Sequence, residues 1–193
     1  FEVSSTQVSR AAATLDESLE QWRTGALPAC PYVVLDARYE KVRQGGQVID
    51  CAVLLAIGVT EKGRRRVLGV SVALSEAEAH WRGFLKSLQE RGLHGVKLFI
   101  ADDHAGLKAA RMAVFPAVPW QRCQFHLQRN AQAYVPKQDM RAAVAQTLRA
   151  IFTAPEREEA ERLLKLAITK FEKTAPKLAT WMEENLHEGL TVF

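Results

Sequence analysis

Residues 32–74 read YVVLDARYEKVRQGGQVIDCAVLLAIGVTEKGRRRVLGVSVAL, and this stretch decides the fold class. It contains three apolar runs of strand length, over residues 32–35, 48–59 and 66–74, which end or begin at glycine-containing turns at 44–46 and 60–63. Runs rich in β-branched residues that are joined by short turns indicate β-hairpins. The sequence therefore predicts a three-strand antiparallel meander.

The hydrophobic pattern changes to a helical period after residue 74. Apolar residues at 77, 81, 84, 85 and 88 predict a helix, and Ser75 with Glu78 predicts a capping box at its start. A strand over 96–101, a helix over 105–115 and a strand over 119–125 follow. Because strands joined through helices are usually parallel neighbours, we expect an α/β fold with a mixed five-stranded sheet flanked by helices.

Both ends of the chain have a helical pattern. Apolar residues at helical spacing predict a helix over 8–22, and helices are predicted over 129–135, 137–152, 155–173 and 176–190. Thr153 with Glu156 suggests another capping box, and Glu161 with Lys165 an ion pair. We therefore divide the chain into an N-terminal helix (1–28), an α/β core (29–135) and a C-terminal all-helical segment (136–193).

Composition indicates a globular domain with a mildly basic charge. The 193 residues are 48% hydrophobic and 25% charged, and the formal net charge is +4. No apolar run approaches the roughly 18 to 20 residues of a membrane span, so no membrane partner is expected. The three cysteines have no framework spacing, which fits a reducing cytoplasm.

Positive charge is concentrated between residues 104 and 154. This stretch contains seven basic residues and one acidic residue, Asp139. Such a stretch is where contacts with nucleic-acid phosphates are expected. The alternative, a solvated helix face with incidental charge, is equally open on this evidence.

Two aspartates follow apolar strand patterns and are candidate metal ligands. Asp36 follows residues 32–35, and Asp102 follows residues 96–101. Carboxylates on neighbouring strands could share Mg²⁺, for which Mn²⁺ can substitute, and such ions can activate phosphodiester chemistry. Alternatively, backbone amides hold Asp36 at a strand end, and Asp102 or Asp103 caps the next helix. Alternation does not choose between the last two, although Asp103 is nearer the helix and is the better candidate cap.

Several segments, taken in order, resemble the DDE transposases of bacterial insertion sequences of the Mutator type. They are VSR at 8–10, LDARYEKVR at 35–43, AIGV at 56–59, WRGFL at 81–85, DDHAGL at 102–107 and WQRCQFHLQRN at 120–130. The resemblance covers nearly the whole chain and implies an RNase H-like fold. It also implies metal-dependent DNA cleavage and strand transfer, with Asp36 and Asp102 as the first two catalytic, metal-binding acids.

The resemblance extends these expectations to partners and to the rest of the protein. The implied partners are transposon-end and target DNA, and a homodimer is expected for the full-length protein in the bacterial cytoplasm. The family's third acid is a Glu in a Thr/Asn/Arg-rich helix, and nothing here matches that helix. We therefore expect the chain to stop before it and to be inactive alone, with Glu183, Glu184 and Glu188 as solvated helix acids.

The remaining candidate residues surround a Cys-x2-His element. Cys123 and His126 match an element of the family but form only half of a zinc site, so no zinc is expected and a packing or active-site-edge role is favoured. His104 is predicted to cap a helix or to hydrogen bond nearby. Trp120 could stack on a base, although a tryptophan in the core is commoner. The predicted DNA-binding residues are Arg38, Lys108, Arg122, Arg129 and Asn130.

Two other functions stay open on the sequence alone. One is a different RNase H-like nuclease, such as a resolvase or a ribonuclease, which would share the metal chemistry. The other is a transposase remnant that binds DNA without catalysis. A general α/β scaffold protein is a third reading, against which the basic stretch argues mildly.

Overall fold

The computed structural model describes residues 4–193, apart from the side chain of Gln44, so the first three residues of the predicted N-terminal segment lie outside it. The chain forms a mixed sheet in the order β3-β2-β1-β4-β5. Strands β1 to β3 are antiparallel, and β4 and β5 run parallel to β1. The predicted five-stranded α/β architecture is confirmed. Its strands are β1 (Tyr32–Gln44), β2 (Gln47–Val59), β3 (Arg65–Ala73), β4 (Leu98–Ala101) and β5 (Trp120–Arg122).

The first hairpin differs from the prediction in the length of β1. Its turn uses Gly45 and Gly46 at φ values of 57° and 79°, which glycine adopts without strain. β2 stays paired with β1 from Tyr32 to Gln44, so Asp36 lies within the strand, opposite Leu55. The prediction that Asp36 ends a strand is wrong, because the hydrogen-bonded ladder with β2 continues through the polar residues that follow.

One face of the sheet and helix α2 form the first hydrophobic core. The predicted helical stripe is confirmed, since Trp81, Phe84, Leu85 and Leu88 are all buried. They pack in a cluster with residues of the sheet such as Leu54. The helices are α1 (Ser5–Thr24), α2 (Glu78–Glu90), α3 (Ala105–Val114), α4 (Gln124–Ala131), α5 (Arg141–Phe152), α6 (Arg157–Glu172) and α7 (Pro176–Asn185).

Both predicted capping boxes are wrong. Helices α2 and α6 have no side-chain hydrogen bond at their N-caps. The Ser75 hydroxyl accepts the Ala77 N–H instead, and the Thr153 hydroxyl donates to the Arg149 carbonyl. The predicted ion pair is also replaced, because Glu161 pairs with Arg157 at 2.8 Å, one turn before it.

The segment after β5 has a second core of its own. Helices α4 to α7 bury a separate cluster that begins with Leu127 and ends with Leu190. Leu127 lies on α4, within the predicted 29–135 unit, so packing groups α4 with the helices that follow. Two hydrophobic cores therefore meet where β5 leads into α4.

Helix α1 is attached to the core through backbone contacts at its end. None of its residues is buried, and its apolar residues Val8, Leu15 and Leu19 are exposed. Arg91 fixes the end of the helix, because its guanidinium donates to the carbonyls of Trp22, Gly25 and Leu68. Within residues 4–193, no helix combines the length and hydropathy that a membrane span requires.

Two helical glycines offer a matched test of packing. A Cβ on Gly106 of α3 would lie 2.5 Å from the backbone oxygen of Glu76, whereas a Cβ on Gly83 of α2 would meet nothing within 4 Å. We expect Gly106→Ala to lower the free energy of unfolding by about 1–3 kcal/mol, as overpacking does. Gly83→Ala should raise it by roughly 0.5–1 kcal/mol through helix propensity. Urea denaturation of both variants checks this, and equal effects of the two substitutions would contradict it.

Candidate functional site

The two candidate acids occupy equivalent positions relative to the pairing of β1 with β4, Asp36 within β1 and Asp102 directly after β4. β1 and β4 pair in register from Tyr32 with Leu98 to Val34 with Ile100. Asp36 and Asp102 each follow the last pair by two residues, so they share a face of the sheet. Neighbouring strands lie roughly 4.8 Å apart. The two carboxylates are therefore brought to the same edge, as the sequence predicted.

Both acids line one open cavity of about 410 Å³. Asp36 is exposed and Asp102 is partly buried. Trp81 and Leu107 form part of the apolar lining, and Phe125 adds a ring that is 67% exposed. The cavity thus combines paired carboxylates with access for a large polar ligand.

Each acid has one local hydrogen bond, and neither acts as a helix cap. The Ala37 N–H donates to Oδ1 of Asp36 at 3.0 Å, and the Asp103 N–H donates to Oδ1 of Asp102 at 2.8 Å. The N-cap of α3 is His104, without a side-chain hydrogen bond. The suggestion that Asp102 or Asp103 caps this helix is therefore wrong. One local bond leaves the Oδ2 atom of each carboxylate for another ligand.

Two histidines direct ring nitrogens towards carboxylates in the cavity. Nδ1 of His126 lies 4.0 Å from Oδ2 of Asp102, and Nδ1 of His104 lies 3.9 Å from Oε2 of Glu76. Both nitrogens are buried and have no hydrogen-bond partner among the described residues. Polar atoms in this condition fit a cavity whose ligand completes their contacts. His104 therefore lies beside the predicted site and occupies the N-cap position of α3, as predicted, but its side chain makes no capping hydrogen bond.

The carboxylates present fit a divalent ion only in part. Hard oxygen ligands suit Mg²⁺, which commonly binds through one or two carboxylates with water and phosphate in the other positions. Within the described residues, no cluster of three His, Cys, Asp or Glu side chains is arranged to hold a metal ion. The cavity thus offers the paired carboxylates of Asp36 and Asp102, without a third His, Cys, Asp or Glu of the described residues arranged beside them.

Glu76 also lines the cavity, although no sequence pattern indicated it. Its side chain is 18% exposed, and it precedes α2 by two residues. Gly106 lets α3 approach the backbone of Glu76, so a glycine in one element sets the position of an acid in another. Only the three-dimensional packing brings this acid to the site.

Arg122 has a different environment from the one predicted for a DNA contact. The residue is 7% exposed at the end of β5. Its Nη1 donates to Oδ1 of Asn185 at 2.9 Å and to Oε2 of Glu188 at 3.3 Å. Its guanidinium also lies within 4 Å of Asp102 and Asp103. Burial and these partners disfavour a direct contact with DNA.

The other predicted DNA-binding residues are distributed around the site. Arg129 is exposed and lines the cavity, as does Arg38, which pairs with Glu40. Lys108 pairs with Asp103 and lies 4.3 Å above the ring of Trp120. Asn130 is partly buried and is not part of the cavity lining. Arg129 is consequently the best placed of the set.

The Cys-x2-His element is divided between two roles in the structure. Cys123 is the partly buried N-cap residue of α4, with a free thiol, and its N–H donates to the Ala101 carbonyl at 2.7 Å. His126, one turn later, faces the cavity. The element therefore joins α4 to the end of β4 and supplies one side chain to the site edge.

Glu188 is not the solvated acid that the sequence suggested. It pairs with Arg122 at 3.3 Å and with Lys108 at 3.6 Å. Glu183 and Glu184 are exposed, as predicted. The prediction for Glu188 is wrong because Arg122, its partner, is 66 residues away in the chain, and no local sequence pattern indicates such a contact.

The fold and the site together define an α/β domain in which two carboxylates share a face of the sheet beside helix α4, which contributes His126 and Arg129 to the cavity. A family profile described as "Transposase, Mutator family" matches residues 1–193. The chain belongs to the Mutator family of transposases. The family predicted from the sequence is thereby confirmed.

Individual relatives support the same family. The chain is 63% identical over 191 residues to the transposase for insertion sequence element IS406 of Burkholderia multivorans, covering 99% of this chain and 49% of that protein. It is 40% identical over 191 residues to the ISRM5 transposase of Rhizobium meliloti, covering 98% and 48%. The chain thus spans about half the length of these curated relatives.

A solved structure is similar at a low level. It is the HTLV-2 integrase catalytic core domain in complex with magnesium, with 11% identity and a TM-score of 0.31. The match covers 69% of this chain and 91% of that one.

Asp103 offers a test of the charge network beside the site. The hydrogen bond from Lys108 lowers the pKa of Asp103, and the Arg122 charge also lowers it, while burial opposes both. Lys108→Met should therefore raise the pKa of Asp103, measured by NMR titration of its carboxyl carbon. Lys86→Met, at an exposed position on α2, is the control.

The same substitution has a pH-dependent effect on stability. A folded-state pKa below the unfolded value stabilises the protein above the unfolded pKa, roughly 3.9 for Asp, and this stabilisation is lost as pH falls through the folded pKa. We expect the loss of unfolding free energy in Lys108→Met to be largest at neutral pH and to shrink in acid. A loss that is the same at both pH values would contradict this assignment.

Proposed function

We propose that this chain is the part of a transposase catalytic domain that carries two metal-binding acids, Asp36 and Asp102. Their role is to bind Mg²⁺, or Mn²⁺ in its place, for cleavage of DNA and transfer of its 3′ end. The single observation that supports this most is their equivalent position on the parallel strands β1 and β4, facing one cavity. Membership of the Mutator family supplies the substrate class.

The charge of Asp36 favours a cation as ligand. No Lys, Arg or His lies within 4 Å of its carboxylate in the described part of the chain, whereas Asp102 has Arg122 at 3.9 Å. A bound divalent ion would activate the attacking oxygen and stabilise charge on the phosphoryl oxygens. Asp36 and Asp102 would hold the ion through oxygens that the local amides do not occupy.

The chain's other cavity residues would hold and orient the DNA backbone. Arg129 presents an exposed guanidinium at the cavity, and guanidinium groups match phosphate geometry with two parallel hydrogen bonds. The Nδ1 atoms of His126 and His104 have no hydrogen-bond partner within residues 4–193, so they can donate to or accept from the ligand. Phe125 offers an exposed ring against which a sugar or a base can pack.

The chain spans about half the length of its relatives, which affects the metal ligands that it can supply. Its relatives are about twice as long, and a third acid supplied by another part of the protein would complete the ion's ligands. The two-acid chain should bind metal weakly and cut DNA poorly by itself. A homodimer holding two transposon ends, in the bacterial cytoplasm, belongs to the same proposal.

Metal binding by the two acids can be tested directly. We expect Mn²⁺ to bind the chain, measured by the loss of the free Mn²⁺ signal in electron paramagnetic resonance. Asp36→Asn and Asp102→Asn should each weaken binding by roughly tenfold or more, because ligand loss costs at least as much as loss of an outer-shell partner. Asp50→Asn, an exposed acid on β2, is the control and should bind as the unmodified chain does. Equal affinity in all four proteins would remove the proposed site.

DNA binding should depend on Arg129. Arg129→Gln is expected to weaken binding to duplexes of any sequence and to reduce the slope of log K against log salt by about 1. Arg43→Gln is the matched control, because Arg43 lies seven residues beyond Asp36 on β1, roughly 23 Å along the strand. Fluorescence anisotropy at several salt concentrations gives both slopes. An unchanged slope in Arg129→Gln would take Arg129 out of the DNA path.

A further inference from the structure

Arg122 is a buried cation between the two halves of the molecule. It lies at the end of β5, where the sheet core meets the helical core. On one side are the Asp102 and Asp103 carboxylates, and on the other are Asn185 and Glu188. A buried arginine with partners on both sides can transmit the position of one half to the other.

The two ends of the guanidinium are not equally satisfied. Nη1 donates to Asn185 at 2.9 Å and to Glu188 at 3.3 Å, and it lies 3.4 Å from Oδ2 of Asp103. Nε is buried and has no hydrogen-bond partner within the described residues. Its nearest carboxylate oxygen, Oδ1 of Asp102, is 3.9 Å away. A buried donor without an acceptor is unfavourable. A movement of Nε towards Asp102 that formed a hydrogen bond would therefore lower the free energy of this group.

The helical segment supplies two of the contacts of the Nη1 atom. Oδ1 of Asn185 faces Arg122 because its Nδ2 donates to the Trp181 carbonyl at 2.9 Å. Glu188 contributes an opposite charge at the same Nη1 atom. A shift of about 1 Å would bring Nε to ordinary hydrogen-bond distance from Asp102, and it would lengthen these two contacts.

We propose that Asn185 and Glu188 are positioning residues that restrain Arg122 and so keep the Asp102 carboxylate available to a metal ion. The inference rests on the proposed metal-binding role of Asp102. Without the restraint, Arg122 forms a charged hydrogen bond with Asp102 and competes with the ion for the same carboxylate. The end of α7 and the turn that follows it thereby control a site carried by the sheet.

The restraint can be tested without metal. In Glu188→Ala, the Arg122 Nε–H should gain an acceptor, so its ¹⁵N–¹H signal moves to higher proton shift and exchanges more slowly with water. The signal is assigned by its absence from Arg122→Gln. The control is Glu183→Ala, which removes an equal charge from an exposed position on α7. An Nε–H signal that is identical in Glu188→Ala and Glu183→Ala would overturn the restraint.

The consequence for the ion is tested with Mn²⁺ as the probe. We expect Glu188→Ala to weaken Mn²⁺ binding by about tenfold, a modest effect for a hydrogen bond between charged groups. Glu183→Ala should leave the affinity unchanged. Arg122→Gln should bind Mn²⁺ at least as tightly as the unmodified chain, because the competing cation is gone.

The double variant separates positioning from stability. Arg122→Gln/Glu188→Ala should recover the affinity of the unmodified chain to within about threefold, because nothing remains to compete for Asp102. Affinity as weak as in Glu188→Ala alone would overturn the inference. Loss of fold is monitored through Gln124→Ala, which removes the 2.9 Å hydrogen bond to the Gly189 carbonyl without touching Arg122. Because Gly189 follows Glu188 directly, that variant should lower stability and also loosen the restraint, whereas Leu164→Ala, in the buried core of α6, should lower stability and keep Mn²⁺ affinity.

Failure of the proposed function gives a different pattern. If the unmodified chain binds no Mn²⁺, or binds it equally in Asp36→Asn, the metal site itself is overturned. The Arg122 signal then still decides whether Glu188 restrains the guanidinium. Asp36-dependent binding that Glu188→Ala leaves unchanged overturns only the inference.

Discussion

The parallel pairing of β1 with β4 is the constraint on which the site depends. Three residue pairs, from Tyr32 with Leu98 to Val34 with Ile100, fix the register. Because side chains alternate along a strand, a slip of one residue would turn Asp102 to the opposite face from Asp36. The register is held by the apolar residues of β4, which alternate between the two faces and bury Leu98, Phe99 and Ala101. Hydrophobic packing on a four-residue strand thus determines which carboxylates meet.

Charge compensation takes a different form at each acid. The Asp36 carboxylate accepts a hydrogen bond from the Ala37 N–H, while the Asp102 carboxylate lies beside the buried Arg122. A buried ion pair contributes little net stability, because the cost of removing charge from water offsets the attraction. Such networks contribute chiefly to the geometry of the groups they join. Arg122 therefore joins Asp103, which follows β4, to Glu188 of the helical segment, while its Nε lies 3.9 Å from Asp102.

The sequence was informative where a signal is local. Alternation and turn glycines predicted the meander, the stripe from Trp81 to Leu88 predicted α2, and the apolar runs before Asp36 and Asp102 predicted their shared edge. Local sequence patterns did not predict the features that depend on tertiary contacts. β1 continues past Asp36 because β2 supplies its partner, and both capping boxes yield to other hydrogen bonds. Glu76 and Glu188 reach the site through packing between distant segments, for which the sequence has no periodic signature.

Arg122 shows why charge counting alone could not assign the basic stretch. Its charge belongs to the same excess as that of Arg129, yet one guanidinium is buried and the other is exposed at the cavity. The difference arises because Arg122 ends a strand that lies beneath the segment Asn185–Val192, which is also tied down by Gln121 and Gln124. These two arginines, seven positions apart, therefore have different environments. Arg122 pairs with carboxylates of the protein, whereas the guanidinium of Arg129 is exposed at the cavity. Arg122 ends β5 and Arg129 lies on α4, so the change of environment occurs where the chain passes from the sheet into α4. The two hydrophobic cores are also divided at this point.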